Sequence, residues 1–108
     1  MKIIYNNILP PKGFTAINIF GILFARKGAA ISEKTINHEQ IHTAQMRELL
    51  YVPFYVLYFL EWLIKLIFYG GGAYRNLSFE REAYDNDDNL GYLGGRKCYA
   101  WVKQIFKA

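Results

Sequence analysis

Cysteine is nearly missing from this chain. Cys98 stands alone among 108 residues, so no intrachain disulfide can close and a disulfide-built scaffold is excluded. Proline is confined to Pro10, Pro11 and Pro53, which leaves long stretches free to form uninterrupted elements. Charge is sparse as well: Asp, Glu, Lys and Arg make up 20% of the residues, and thirteen basic against nine acidic side chains leave a net charge of +4. That excess is mild, and no Cys-His finger, aromatic RNP string or dense basic stripe accompanies it, so no nucleic-acid partner is expected. Gly70-Gly71-Gly72 lacks a following Gly-Lys-Ser/Thr and reads as a connector instead of a phosphate loop. The first seven residues hold neither a sustained apolar run nor a small-residue cleavage site, so no secretory signal is expected and the predicted location is cytoplasmic.

Apolar residues, by contrast, reach 53% and aromatic residues 18%, enough to bury a core, and the length suits a single domain over residues 1–108. Residues 1–9 fit a short strand or extended arm ended by Pro10-Pro11. The β-branched and aromatic run Ala16 to Ala25 predicts a strand or strand pair kinked at Gly21. Ser32 or Thr35 can cap a helix carrying Ile36, Ile41, Ala44 and Leu49 and ending near Pro53. A second helix is expected from Phe54 to Tyr69, with Glu61 and Lys65 placed to pair, and a short third from an Asn76 or Ser78 cap through Tyr84. Asp85 to Gly91 reads as loop, and a last helix is expected after Gly94-Gly95 with Tyr99, Val102, Ile105 and Phe106 on one side. The fold class is therefore α+β.

The two histidines of the chain fall in one motif, His38-Glu39-Gln40-Ile41-His42, within the first predicted helix. Four residues are slightly more than one helical turn, so both imidazoles leave the same face and can bind one Zn2+ at about 2.0–2.1 Å. Glu39 occupies the adjoining surface, where it can act as general base on a metal-activated water. Shuffling the same composition yields the pattern about once in a thousand chains, which leaves a pair of ordinary helix histidines as the bland alternative. A catalytic zinc needs a third protein ligand, and with no further His a carboxylate must supply it. Glu80 and Glu82 on the third helix are the candidates, with Asp85, Asp87 and Asp88 more solvated.

With Glu80-Arg81-Glu82-Ala83-Tyr84 downstream of the motif, the chain resembles the gluzincin metallopeptidases, in which a second helix donates a Glu within a Glu-x-Glu-Ala-Asp string. The resemblance implies a small, mostly helical zincin-like domain with a short N-terminal β element. It implies His38, His42 and Glu80 as metal ligands, Glu39 as catalytic base, and hydrolysis of a peptide or protein substrate. Glu82 is the alternative ligand. Tyr84 stands where the family has an Asp that orients a zinc-bound His, so Tyr84 or Asp85 takes that place here. Tyr84, Arg81 and Tyr74 are the candidates for an oxyanion partner, and the segment Gly21 to Arg26 would be the strand that pairs with extended substrate.

Leu49 to Tyr69 is long enough to cross a bilayer, yet Pro53, Glu61 and Lys65 interrupt it, and its longest charge-free run, Leu49 to Leu60, has twelve residues. A core helix covering the zinc helix, an aromatic face resting at the periphery of the inner membrane, and a homodimer surface remain the alternatives. The rival to an enzyme is a non-catalytic zinc-stabilised or membrane-docking module.

Overall fold

Residues 1–106 are described by a computed structural model. The expected strand pair forms as β2 (Ala16–Ile19) and β3 (Ile22–Arg26), joined by a two-residue turn at Phe20-Gly21 in which both residues have positive φ, 51° and 89°. Such a turn matches the twist of the flanking strands. Gly21 suits it on two counts, because a Cβ there would also press to 3.2 Å from the Thr43 methyl. Phe20 tolerates the left-handed conformation while its ring packs edge-on to Tyr51 and Tyr55. The first arm is a strand, β1 (Ile3–Asn6), parallel to β3 with Ile3 opposite Leu23, whereas β2 is antiparallel with Ala16 opposite Ala25. The sheet order β1-β3-β2 makes β3 central and leaves β2 with a free edge.

Helix α1 (Glu33–Glu48) starts at Ser32, whose side chain accepts a hydrogen bond from the Thr35 amide, and Glu33 and Arg47 complement the helix dipole at its two ends. Its buried face is largely polar: Asn37, His38, His42 and Gln45 alternate with Ile41 and Met46. The helix ends before Pro53, at Glu48, through a reversal in which the Leu50 amide reaches Arg47 O and the Tyr51 amide reaches Met46 O. This is a Schellman ending with Leu50, at φ 57°, in the place glycine usually takes. Tyr51 then packs against the core cluster that contains Met46, in keeping with the apolar contact that accompanies such endings.

Helix α2 (Val52–Tyr69) therefore begins two residues earlier than expected, with Pro53 accommodated in its first turn. It is a core helix along one stripe only. Phe54 and Lys65 are buried, while most of its other residues are exposed. Together with the following turn, Val52–Gly72 is the one described segment long and apolar enough to cross a membrane, with mean hydropathy 1.5 and 11% of the window buried.

Helix α3 (Ser78–Asn86) runs beyond Tyr84 into the expected loop. Neither Asn76 nor Ser78 caps it. The Glu61 carboxylate, reaching over from α2, accepts hydrogen bonds from the Ser78 amide at 2.9 Å and the Ser78 hydroxyl at 2.7 Å, and it also holds Lys65 at 2.9 Å. An anion thus sits on the positive end of the α3 dipole. The last predicted helix does not form. Gly94 and Gly95 belong to a single turn, α4 (Tyr92–Gly95), Tyr99 has positive φ, and Val102–Gln104 is only a 3₁₀ turn. So short a segment lacks the length to sustain a helix by itself, and tertiary contacts decide its path. Arg96 pairs with Glu48 and Glu82, and Trp101 inserts into the core beside Phe79. Phe54, Phe79, Met46 and Trp101 form that core, where α1, α2, α3 and the C-terminal segment meet.

Candidate metal centre

The polar face of α1 meets α3 at a cluster of three atoms. Glu80 Oε1 lies 3.1 Å from His38 Nε2 and 3.1 Å from His42 Nε2, and the two nitrogens are 3.2 Å apart. The helical i, i+4 spacing sets the two rings side by side, and α3 packs against α1 so that its first turn delivers Glu80. All three residues are buried. Glu82, one face further round α3, goes elsewhere: it accepts hydrogen bonds from Arg96, Gln45 and Tyr92. Burial pushes its carboxyl pKa up, and those donors override it, holding the carboxyl below its usual range. Glu80 is therefore the carboxylate at the imidazoles, and Glu82 is a structural anchor.

The outer partners fix what the cluster offers. His38 Nδ1 lies 3.0 Å from Asp87 Oδ2, and a carboxylate can only accept, so Nδ1 carries the proton. His42 Nδ1 lies 2.8 Å from Gln45 Oε1, whose own amide nitrogen donates to Phe79 O and Glu82 Oε1; this Nδ1 also carries the proton. In the neutral rings both Nε2 atoms are then bare. Two nitrogen lone pairs and a carboxylate oxygen converge on one point with no donor among them, which is repulsive unless a cation intervenes. In the metal-free protein a proton fills that role. Burial lowers the His42 pKa, but the charge and hydrogen bond of Glu80 outweigh it and push the pKa up to about 9. Burial likewise raises the Glu80 pKa, and the adjacent His42 and His38 override it, holding the carboxyl well below its ordinary range.

A divalent ion fits the same three atoms. The three atoms lie 3.1–3.2 Å from one another, close enough for one divalent ion to reach all of them at about 2.0–2.1 Å. Two imidazoles and one carboxylate would hold such an ion and leave room for a further ligand such as water. Tyr58 completes the support by donating to Glu80 Oε2 at 2.6 Å, which leaves Oε1 for the ion; burial first, then the Glu80 charge, drives its phenol pKa far up and keeps the proton in place.

Neither residue expected to orient the imidazole does so. Tyr84 meets the His38 ring edge-on at 4.5 Å, beneath the Arg75 guanidinium, and Asp85 is exposed. Asp87, predicted to be solvated, is 4% exposed and takes that position. The extension of α3 explains the substitution, since Asp87 follows Glu80 by seven residues, two helical turns along the same face. Gln45 and Tyr58 are site residues that the motif spacing does not reveal. Gln45 had a signal, because it lies three residues after His42 on the buried face; Tyr58 had none.

The cluster opens onto a cleft of about 570 Å³, bounded by His42, Glu39 and Glu80 on one side and by Phe14, Ile17 and Phe20 on the other. Glu39 is half-buried beside it, and its carboxylate has no hydrogen-bond or ion-pair partner among the described residues. Its backbone carbonyl is tied to the sheet by the Asn18 amide, at 3.0 Å, which fixes the start of the motif against β2. The strand along this cleft is β2, with Ala16 to Ile19 in its wall, and not the segment Gly21 to Arg26, because β3 is paired on both sides. Of the oxyanion candidates, Tyr74 lines the cleft, whereas Arg81 points away, donating to Gln104 O, Tyr69 and Asn76. Comparison with known proteins gives no match, whether to a family model, a curated protein or a solved structure.

Proposed function

We propose that this chain is a zinc-dependent metallopeptidase of gluzincin-like type, with His38, His42 and Glu80 as the metal ligands and Glu39 as general base. One observation carries the reading: three lone-pair donors, each held in its donating form by an outer partner, converge at the edge of an open cleft that also contains an uncommitted carboxylate. A bound zinc would supply Lewis acidity, polarising the substrate carbonyl and lowering the pKa of a coordinated water to about 7. With that chemistry supplied, Glu39 would act as the general base, taking a proton from the attacking water and giving it to the leaving amine so that the C–N bond breaks without expelling an amide anion. Asp87 and Gln45 hold the two imidazoles in position, and Tyr58 holds Glu80. The free edge of β2 offers backbone groups to an extended peptide, and the apolar wall from Phe14 to Phe20 takes its side chains.

Metal analysis and hydrolysis of a quenched-fluorescence peptide mixture test the reading together. About one zinc per chain is expected, lost in His38→Ala and retained in Glu39→Gln, with hydrolysis abolished in both. Protein purified without chelator that holds no specific metal overturns the proposal, and hydrolysis undiminished by Glu39→Gln removes Glu39 as the base. Zinc bound tightly with no hydrolysis of any peptide would favour the non-catalytic rival.

A further inference from the structure

Helix α2 is built inside out. At 100° per residue, its inward sector holds Phe54 together with Tyr55, Tyr58, Glu61, Lys65 and Tyr69, and every polar group among these is satisfied within the protein. Tyr55 OH donates to Asn18 O, Tyr58 OH to Glu80, and Tyr69 OH accepts from Arg81; Glu61 caps α3, and Lys65 binds Glu61 and Asn76 O. Trp62 lies at the margin, partly exposed. The remaining residues, among them Val56, Phe59, Leu60, Ile64, Ile67 and Phe68, are exposed and occupy an outward arc of about 200°. None of them carries a charge or a side-chain hydrogen-bonding group. A helix facing water places its ionised residues outward, whereas a helix facing hydrocarbon turns them inward and pairs them.

From this arrangement we infer that the outward face of α2 docks into the hydrocarbon layer of a phospholipid bilayer, with the helix lying in the membrane plane. The width of the arc selects the occupant. A helix packed from a second copy would cover a stripe of roughly 100° and leave the other half of the apolar face in water, while acyl chains cover all of it. Orientation follows from the partners of Glu61 and Lys65. Glu61 sits at the middle of a helix about 27 Å long and binds Ser78 at the start of α3, with Lys65 one turn further on holding Glu61 and Asn76 O. Standing α2 upright would therefore carry α3 and its exposed Asp85 into the hydrocarbon, and lying flat keeps them in water. Arg47 before α2 and Arg75 after it are exposed, and basic side chains near a bilayer surface are attracted to its headgroups. Tyr51 and Tyr55, at the N-terminal end of α2, pack edge-on against Phe20, which lines the cleft.

Flotation of the full chain with neutral phosphatidylcholine vesicles tests the inference. Most of the protein is expected to float at both low and high salt, and bromines placed on the acyl chains should quench Trp62. The double variant Leu63→Glu, Ile67→Glu changes exposed positions only, and its partitioning should fall by about tenfold or more while helical circular dichroism is kept. If that variant unfolds, acyl-chain quenching in the unaltered protein still decides. Failure to float, flotation only with anionic lipid at low salt, absence of quenching, or a stable dimer that excludes vesicles would each overturn the inference.

Discussion

Replacing Gln45 by Met separates support of the metal ligands from support of the fold. Gln45 is fully buried and joins three groups: the His42 ring, the Phe79 carbonyl and Glu82. Methionine keeps the unbranched shape and fills the volume, so no large cavity follows. Glu82 Oε1 retains Arg96 at 3.1 Å, so the His42 Nδ1–H becomes the one principal group left without a partner at a site only 6% exposed. An unpaired buried donor costs about 1–3 kcal/mol, and the urea midpoint of the metal-free protein should fall by a corresponding amount. Zinc binding should weaken further, because the ring is free to turn or to move its proton to Nε2. Loss of such an outer partner typically costs 10–100-fold in affinity, about 1.4–2.8 kcal/mol. Competition against a chromophoric chelator measures that change. Unaltered zinc affinity in a variant whose stability has fallen would refute the tautomer argument, and with it the claim that the lone pairs are held in place by Asp87 and Gln45.

Other expectations follow from single features. In the metal-free protein the His42 pKa is raised from 6.5 to about 9, so the stabilisation from its proton is complete below pH 6.5 and is lost as pH rises through about 9. Zinc must displace that proton, so apparent zinc affinity should climb over the same window; a flat profile by calorimetry in buffers of different ionisation enthalpy would contradict it. Glu61→Ala strips α3 of its anionic cap and leaves the buried Lys65 charge with the Asn76 carbonyl but no counter-ion, and denaturant unfolding should register a loss of about 3 kcal/mol or more. Leu50→Gly relieves a left-handed leucine that is 79% exposed, and should raise stability by about 1 kcal/mol; a loss would show that Leu50 makes an apolar contact of value.

Local spacing carried the parts of this molecule that local physics governs. The four-residue interval between His38 and His42, the Ser32 cap and the Gly21 turn each depend on a few adjacent residues, and each is readable from them. The residues alone left Glu80 and Glu82 open as the carboxylate that meets the imidazoles, and the resemblance favoured Glu80; the two lie two residues apart on one helix, and Arg96 and Tyr92 draw Glu82 away. Asp87 was hidden by a run of acidic and amide residues that reads as loop; packing of Asn37 against the carbonyls of Asn86, Asp87 and Asn89 holds that stretch to α1 instead. The C-terminal segment has helical spacing at Tyr99, Val102, Ile105 and Phe106, yet the Tyr99 amide is claimed by Glu48 and the Trp101 ring by Phe79. For α2 the apolar pattern left a core helix, a lipid-facing helix and a dimer surface open, because composition does not tell which side is covered; the inward path of Glu61 and Lys65 shows that side.

X-ray absorption at the zinc edge on the purified full chain tests the metal site most directly. A shell of nitrogen and oxygen atoms at about 2.0–2.1 Å is expected, with the outer-shell scattering of two imidazoles, the same in Glu39→Gln as in the unaltered protein. A sulfur neighbour at about 2.3 Å from Cys98, or a shell without imidazole scattering, would contradict it.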